Sequence, residues 1–250
     1  MQQLLPSLID PPILFAHRGA KAYARENTIE AFVLALKLGA TGLESDVWLT
    51  SDGEVVCDHD GMARVGRMRR QPIGELRRSQ LPAHIPTLAE VIDECGDAYH
   101  LSLDLKGGLH VGPAVVAVVR EVAATLLPRL WLCSPSLSVL EALRPVDPDV
   151  RLVDSPRLTD LREGPERRAA HLSASGIDGI NMPGADWTGG LVTLFHRFER
   201  TAFSWGLQFE HQLRPALRMG VDAVYSDYVD RMVDAYGVEL GSPVVDPESS

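Results

Sequence analysis

Cysteine is scarce, with Cys57, Cys95 and Cys133 the only three in 250 residues. An odd number, each within an apolar run and with no Cys-x-x-Cys spacing, excludes a disulfide framework and a thiolate metal site, so reduced, buried thiols are expected. Positive charge is short as well: 24 Lys and Arg face 34 Asp and Glu, a net charge of −10 and a pI near 5.2. Broad nucleic-acid binding needs concentrated Lys and Arg and is excluded; an anionic substrate would need a local positive site. No apolar run approaches the ~20 residues of a membrane span, and the N-terminal MQQLLPSLIDPP has neither the basic region nor the apolar core of a leader. The expectation is a cytoplasmic protein with a small-molecule partner and no stable membrane insertion. Oligomeric state is not legible.

What is present is a repeating pattern. Short apolar runs at Ile13–Ala16, Gly42–Val47, His100–Leu105, Leu130–Cys133, Val150–Val153, Ile177–Met182, Thr201–Leu207 and Ala223–Ser226 alternate with helical stretches such as Val111–Thr125, Ser136–Leu143, Leu191–Phe198 and Glu210–Met219. Asn27 and Glu30 read as a capping box for the first helix, Pro86-Thr87 opens another, and Thr159–Ser173 is a polar, less regular helix. Continuously apolar strands imply a parallel sheet covered by helices, and eight strand–helix units predict an α/β fold closed into a single-domain (β/α)8 TIM barrel. The rival, an open doubly wound sheet, lacks a Gly-x-Gly-x-x-Gly turn, which also argues against a dinucleotide cofactor. The barrel is expected over 1–240 with a flexible tail over 241–250. Strand two is extended by a hairpin to Val55–His59, followed by an irregular excursion from Asp60 to Ala83 that carries Arg64, Arg67, Arg69 and Arg70.

The hairpin stretch, LESDVWLTSDGEVVCDHD over 43–60, concentrates the chemistry. Glu44 and Asp46 are two apart, so in a strand both leave the same face and need a cation. A two-residue loop at Asp52-Gly53 pairs Asp46 with His59; a three-residue loop pairs His59 with Ser45 and turns it to the opposite face. In a barrel, function sits where strands end. Those ends deliver His17 and Arg18, Glu44 and Asp46, His59 and Asp60, Asp104 and Lys106, Ser134, Asn181, Trp205 and Asp227. Glu44, Asp46 and Asp104 are hard oxygen ligands suited to Mg²⁺ or Ca²⁺. Arg18 and Lys106 can bind phosphate oxygens, and His17 and His59 can act as base and acid, a set suited to phosphodiester cleavage. The other histidines, His84, His100, His110, His171, His196 and His211, have no matching partners and read as ordinary surface or core residues.

His17-Arg18-Gly19, Arg25-Glu26-Asn27-Thr28, Glu44-Ser45-Asp46-Val47, Thr50-Ser51-Asp52-Gly53 and His59-Asp60 together resemble the glycerophosphodiester phosphodiesterase family. So do Pro86-Thr87-Leu88-Ala89-Glu90, Leu103-Asp104-Leu105-Lys106 and Gly220-Val221-Asp222-Ala223 with Ser226-Asp227, and coverage runs from about residue 13 to 230. The resemblance implies a TIM barrel that hydrolyses glycerophosphodiesters to glycerol 3-phosphate and an alcohol, in lipid and glycerol metabolism, with Ca²⁺ or Mg²⁺. It implies His17 and His59 as the catalytic pair, Glu44 and Asp46 as metal ligands, and Arg18 and Lys106 near the phosphate. It also suggests attack by the substrate glycerol hydroxyl through a cyclic phosphate. Three departures stand out: Asp104 where the family usually has glutamate, Arg25 where it has proline, and Trp205-Gly206-Leu207-Gln208 where it has Trp-Thr-Val-Asn. Trp205 is retained and could wall the glycerol pocket. Alternatives are a related barrel phospholipase of the lysophospholipase D or sphingomyelinase D type, and a non-catalytic binder of phosphorylated ligands.

Overall fold

The structure, a computed structural model, describes residues 4–66 and 69–241. Its strands are β1 (Ile13–His17), β2 (Gly42–Leu49), β3 (Val55–Cys57), β4 (Met62–Val65), β5 (Arg69–Pro72), β6 (His100–Leu105), β7 (Leu130–Ser134), β8 (Arg151–Asp154), β9 (Gly179–Pro183), β10 (Thr201–Trp205) and β11 (Ala223–Ser226). The helices are α1 (Ile29–Lys37), α2 (Leu88–Cys95), α3 (Val111–Ala123), α4 (Leu137–Leu143), α5 (Pro165–Ala174), α6 (Gly189–Arg197), α7 (Glu210–Arg218) and α8 (Val229–Leu240). Strands β1, β2, β6, β7, β8, β9, β10 and β11 pair in parallel, and β1 pairs with both β2 and β11 to close the ring. This is the expected (β/α)8 barrel, one helix after each barrel strand.

Two apolar layers hold it. Inside the ring, Ile13, Phe15, Trp131, Cys133, Val153, Phe203, Ala223 and Tyr225 form a small core in which Phe15 stacks on Tyr225 at 4.7 Å and Trp131 meets Phe203 edge-on at 4.9 Å. Gly42 makes room for this, since a Cβ there would lie 2.4 Å from the Phe15 ring. Between ring and helices lies the larger core, from Leu14 and Leu43 out to Phe32, Leu88 and Val115. Because side chains alternate across a strand, residues two beyond the inner-core positions emerge at the C-terminal mouth. The barrel thereby points His17, Asp104, Ser155, Trp205 and Asp227 at one place.

Several expectations are corrected. The excursion after the hairpin is ordered: β4 and β5 pair antiparallel, and Val56, Ala63, Ile73, Leu76, Leu81 and Ile85 bury a satellite core beneath it. Charged residues on the outer face of these short strands hid their pattern. Helix α1 is capped by Thr28, whose hydroxyl accepts from the Ala31 amide, rather than by Asn27. The polar helix starts at Pro165 after a short 3-10 turn over Leu158–Asp160. Val111–Arg129 is apolar and long enough to cross a membrane by length and composition, contrary to expectation. It instead breaks into 3-10 geometry after Ala123 and buries Val111, Val115, Val116 and Val119 against the ring. Cys57 and Cys133 are buried and Cys95 half-buried, all free thiols. Arg67, and residues 242–250 of the expected tail, lie outside the described residues.

At the start of β6, His100 accepts a hydrogen bond from Trp131 Nε1 at 3.2 Å, and burial, helped by Arg129, pushes its pKa down to about 4. The unfolded chain therefore takes up this proton first, and stability falls as the pH drops from the ordinary imidazole value towards 4. We expect urea unfolding to show roughly 1–2 kcal/mol less acid-side loss between pH 7 and 5 for His100→Asn than for the parent. Identical pH dependence in the two proteins would contradict this.

Candidate active site

Strand β1 ends in a left-handed turn, Arg18 at φ 54° and Gly19 at φ 78°. The turn aims the Arg18 amide at Glu44 Oε2 (2.9 Å) and brings its side chain to Asp46, with Nε 3.3 Å from Oδ2. Glu26 holds the guanidinium from the other side at 3.3 Å and also pairs with Lys21 at 3.0 Å. Only glycine serves at position 19, where a Cβ would approach the Ala31 carbonyl carbon to 2.7 Å.

Glu44 and Asp46 lie side by side on β2, 5% and 3% exposed, and Asp104 faces them from β6 in register with Asp46. Each offers an oxygen, and these oxygens lie within 4.8 Å of one another. Burial, with the charges of Asp46 and Asp104, drives the Glu44 pKa upward; burial does the same to Asp104. Lys106 Nζ sits 3.0 Å from Asp46 Oδ1 and 3.2 Å from Asp104 Oδ2. Three hard carboxylates crowded together, Glu44 and Asp46 buried and Asp104 half-buried, fit a divalent cation; Asp46 Oδ2 has the charge of Arg18 beside it but accepts no aligned hydrogen bond among the described residues. The shorter Asp104 reaches the cluster without a glutamate's extra methylene.

His17 stands beside them. Its Nδ1 is 2.6 Å from Asp227 Oδ1, while Nε2 turns towards Glu44 Oε2 at 3.9 Å. Burial alone would lower its pKa, but the Glu44 charge and the Asp227 hydrogen bond outweigh it and the net direction is upward. Asp227 is in turn fixed by Gln208, whose Oε1 accepts its amide at 2.9 Å.

His59 arrives differently from either reading of the hairpin. Val47 faces Cys57 and Leu49 faces Val55, so the loop is the three-residue Ser51-Asp52-Gly53, the register expected to turn His59 away. The ladder stops at Cys57 instead, and the chain turns over Asp58–Gly61. Trp48 Nε1 donates to the Asp58 carbonyl at 2.8 Å, and Asp58 Oδ1 accepts from the Gly61 amide at 2.8 Å. Asp60 accepts from Arg70 and holds His59 Nδ1 at 3.0 Å. The imidazole thus joins His17, Arg18, Glu44, Asp46, Asp104, Lys106 and Trp205 around one cavity of about 400 Å³.

Ser155, Gln208 and Tyr225 also line it and were missed, although counting two past Val153 finds Ser155. Asn181 lines it too, 7% exposed and with Oδ1 unpartnered among the described residues. Ser134 does not: it falls on the opposite face of β7 from Cys133, and its hydroxyl accepts from the Ser136 amide.

A TIM barrel whose mouth gathers three carboxylates, two imidazoles and two cations has the groups that hydrolysis of a phosphate ester requires. Comparison with known proteins makes this particular. The sequence pattern of the glycerophosphoryl diester phosphodiesterase family matches residues 17–231. The chain belongs to this family of phosphoric diester hydrolases. A glycerophosphodiester phosphodiesterase of Bacillus altitudinis is 27% identical over 88% of this chain and 96% of its own. Glycerophosphodiester phosphodiesterase 1 of Homo sapiens is 33% identical over 54% of this chain and 46% of its own. Among solved structures, the Thermotoga maritima glycerophosphodiester phosphodiesterase shares the fold with a TM-score of 0.77 at 23% identity, covering 89% of this chain and 97% of its own. An Oleispira antarctica phosphodiesterase in complex with the product sn-glycerol-3-phosphate has a TM-score of 0.75 at 22% identity, covering 90% and 96%.

The turn at Arg18-Gly19 organises the mouth, so Gly19→Ala should cost at least about 2 kcal/mol in urea unfolding, through both the positive φ and the clash with α1. An unchanged midpoint would show that the turn relaxes freely.

Proposed function

We propose that the chain hydrolyses glycerophosphodiesters to sn-glycerol 3-phosphate and an alcohol, with Mg²⁺ or Ca²⁺ held by Glu44, Asp46 and Asp104 and with His17 and His59 as the acid–base pair. The observation that carries this reading is the meeting of three carboxylates and both imidazoles around one cavity. The bound ion supplies positive charge to the phosphate oxygens and to the charge that builds in the displacement. Arg18 and Lys106 add a fork and a point charge on the same side.

Asp227 fixes the His17 ring through Nδ1 and leaves Nε2 facing the cavity, where it takes the proton of the attacking hydroxyl, either a water's or the substrate glycerol's own. His59, held at Nδ1 by Asp60, gives its proton to the departing alcohol oxygen. If the glycerol hydroxyl attacks, a cyclic phosphate forms and water opens it by the reverse proton transfers. Trp205 and Asn181 form the wall opposite the carboxylates, and this is where the glycerol is placed.

Purified protein with Mg²⁺ or Ca²⁺ should release glycerol 3-phosphate from glycerophosphoglycerol or glycerophosphocholine, and a chelator should stop it. His17→Ala and His59→Ala should each lose at least about a hundredfold in kcat while unfolding at the parent's urea midpoint. Failure to release glycerol 3-phosphate from any such diester would refute the reading, and near-normal turnover in either variant would remove that histidine from it.

A further inference from the structure

A second cavity, of about 510 Å³, lies on the far side of His59. The imidazole is a wall common to both cavities, 43% exposed at its side chain. The second cavity is bounded by the Arg25–Asn27 turn, the Asp58–Gly61 turn and the ordered excursion. Its lining is mainly polar and its cations are unevenly matched. Of its carboxylates, Glu26 is engaged by Arg18 and Lys21, and Asp60 by Arg70. Asp58 is half-buried, spends Oδ1 on the Gly61 amide, and pairs with neither Arg25 nor Arg64.

Arg25 and Arg64 pair with no carboxylate among the described residues. The partner of Arg25 is His84, with Nη2 and Nε2 2.7 Å apart. Burial and the Arg25 charge both push that imidazole towards its neutral form, so it leaves the guanidinium charge uncompensated. Asn27 adds a second signal. It is 4% exposed, held at φ 54°, and spends Oδ1 on the Ser45 hydroxyl, while Nδ2 is buried and unpartnered among the described residues. A buried donor with no acceptor is costly, and this one belongs to a residue that lines the cavity.

We propose that this cavity receives the departing alcohol and selects alcohols that carry an anionic group, a phosphate or phosphodiester, through Arg25 and Arg64 beside Asn27. The inference rests on the hydrolase reading, in which His59 protonates the leaving oxygen and the alcohol therefore lies on its side. Arg25 stands where the family resembled has proline, so the selectivity is a property of this chain's own residues.

The test is a matched pair of substrates. Glycerophosphoglycerol releases glycerol; bis(glycerophospho)glycerol releases an alcohol that is the same glycerol bearing a second, anionic phosphodiester. With the holoenzyme, kcat/KM per scissile end bond should be about tenfold higher for the second, mostly through KM, and should shrink as salt is raised. In Arg25→Met/Arg64→Met the ratio of the two kcat/KM values should fall to about one to two, and Arg25→Lys/Arg64→Lys should restore part of it. A ratio near one in the parent, or one that survives the double Met variant, overturns the proposal while leaving the hydrolase reading intact. No release from either diester overturns both.

Discussion

The mouth of this barrel is governed by the mutual repulsion of Glu44, Asp46 and Asp104, three carboxylates with oxygens within 4.8 Å. Such a cluster persists only with positive charge around it. Much of the surrounding structure supplies that charge or the strain needed to deliver it. Arg18 adopts a left-handed backbone so that its amide meets one carboxylate and its guanidinium another. Lys106 bridges Asp46 to the third, Asp104. His17 sits against Glu44 and is anchored from behind by Asp227, itself fixed by Gln208. Substituting any of these changes the electrostatic balance of the rest.

The fold was legible because parallel strands buried on both faces read as unbroken apolar runs, and eight of them closed the ring. Most of the site was legible for a related reason: the alternation that points Phe15 and Tyr225 into the ring also points His17 and Asp227 out of its mouth. Where that count was not applied, the reading failed. Ser134 is one residue off the inward register, and Ser155 is on it. His59 lay beyond what pairing could decide, because its position depends on where the ladder stops and on the Trp48 hydrogen bond to the Asp58 carbonyl. The excursion was hidden since its strands are short and face charged residues to solvent, and their small core becomes visible only in three dimensions.

His59 ties the two halves of the chemistry together. On one side are the carboxylates, Arg18 and Lys106 and the wall of Trp205 and Asn181; on the other is a polar cavity built by the same excursion that holds the imidazole in place. In the mechanism proposed, a single loop system would set both the position of the acid and the surroundings of the group it releases. On that reading the barrel is the rigid part of the arrangement, and the excursion is where selectivity between alcohols would vary without disturbing the carboxylate-bearing strands.

The account stands on the carboxylate cluster being a divalent cation site, and the most direct measurement is the thermal midpoint of the parent and of Asp46→Asn as Mg²⁺ or Ca²⁺ is titrated into chelator-treated protein. An ion that binds only the folded chain stabilises by about 3 kcal/mol at a hundredfold excess over its Kd, which for this size is roughly 5–10 °C. The parent should rise by that amount and the variant by much less. An unmoved parent, or an equal rise in both, would contradict the claim.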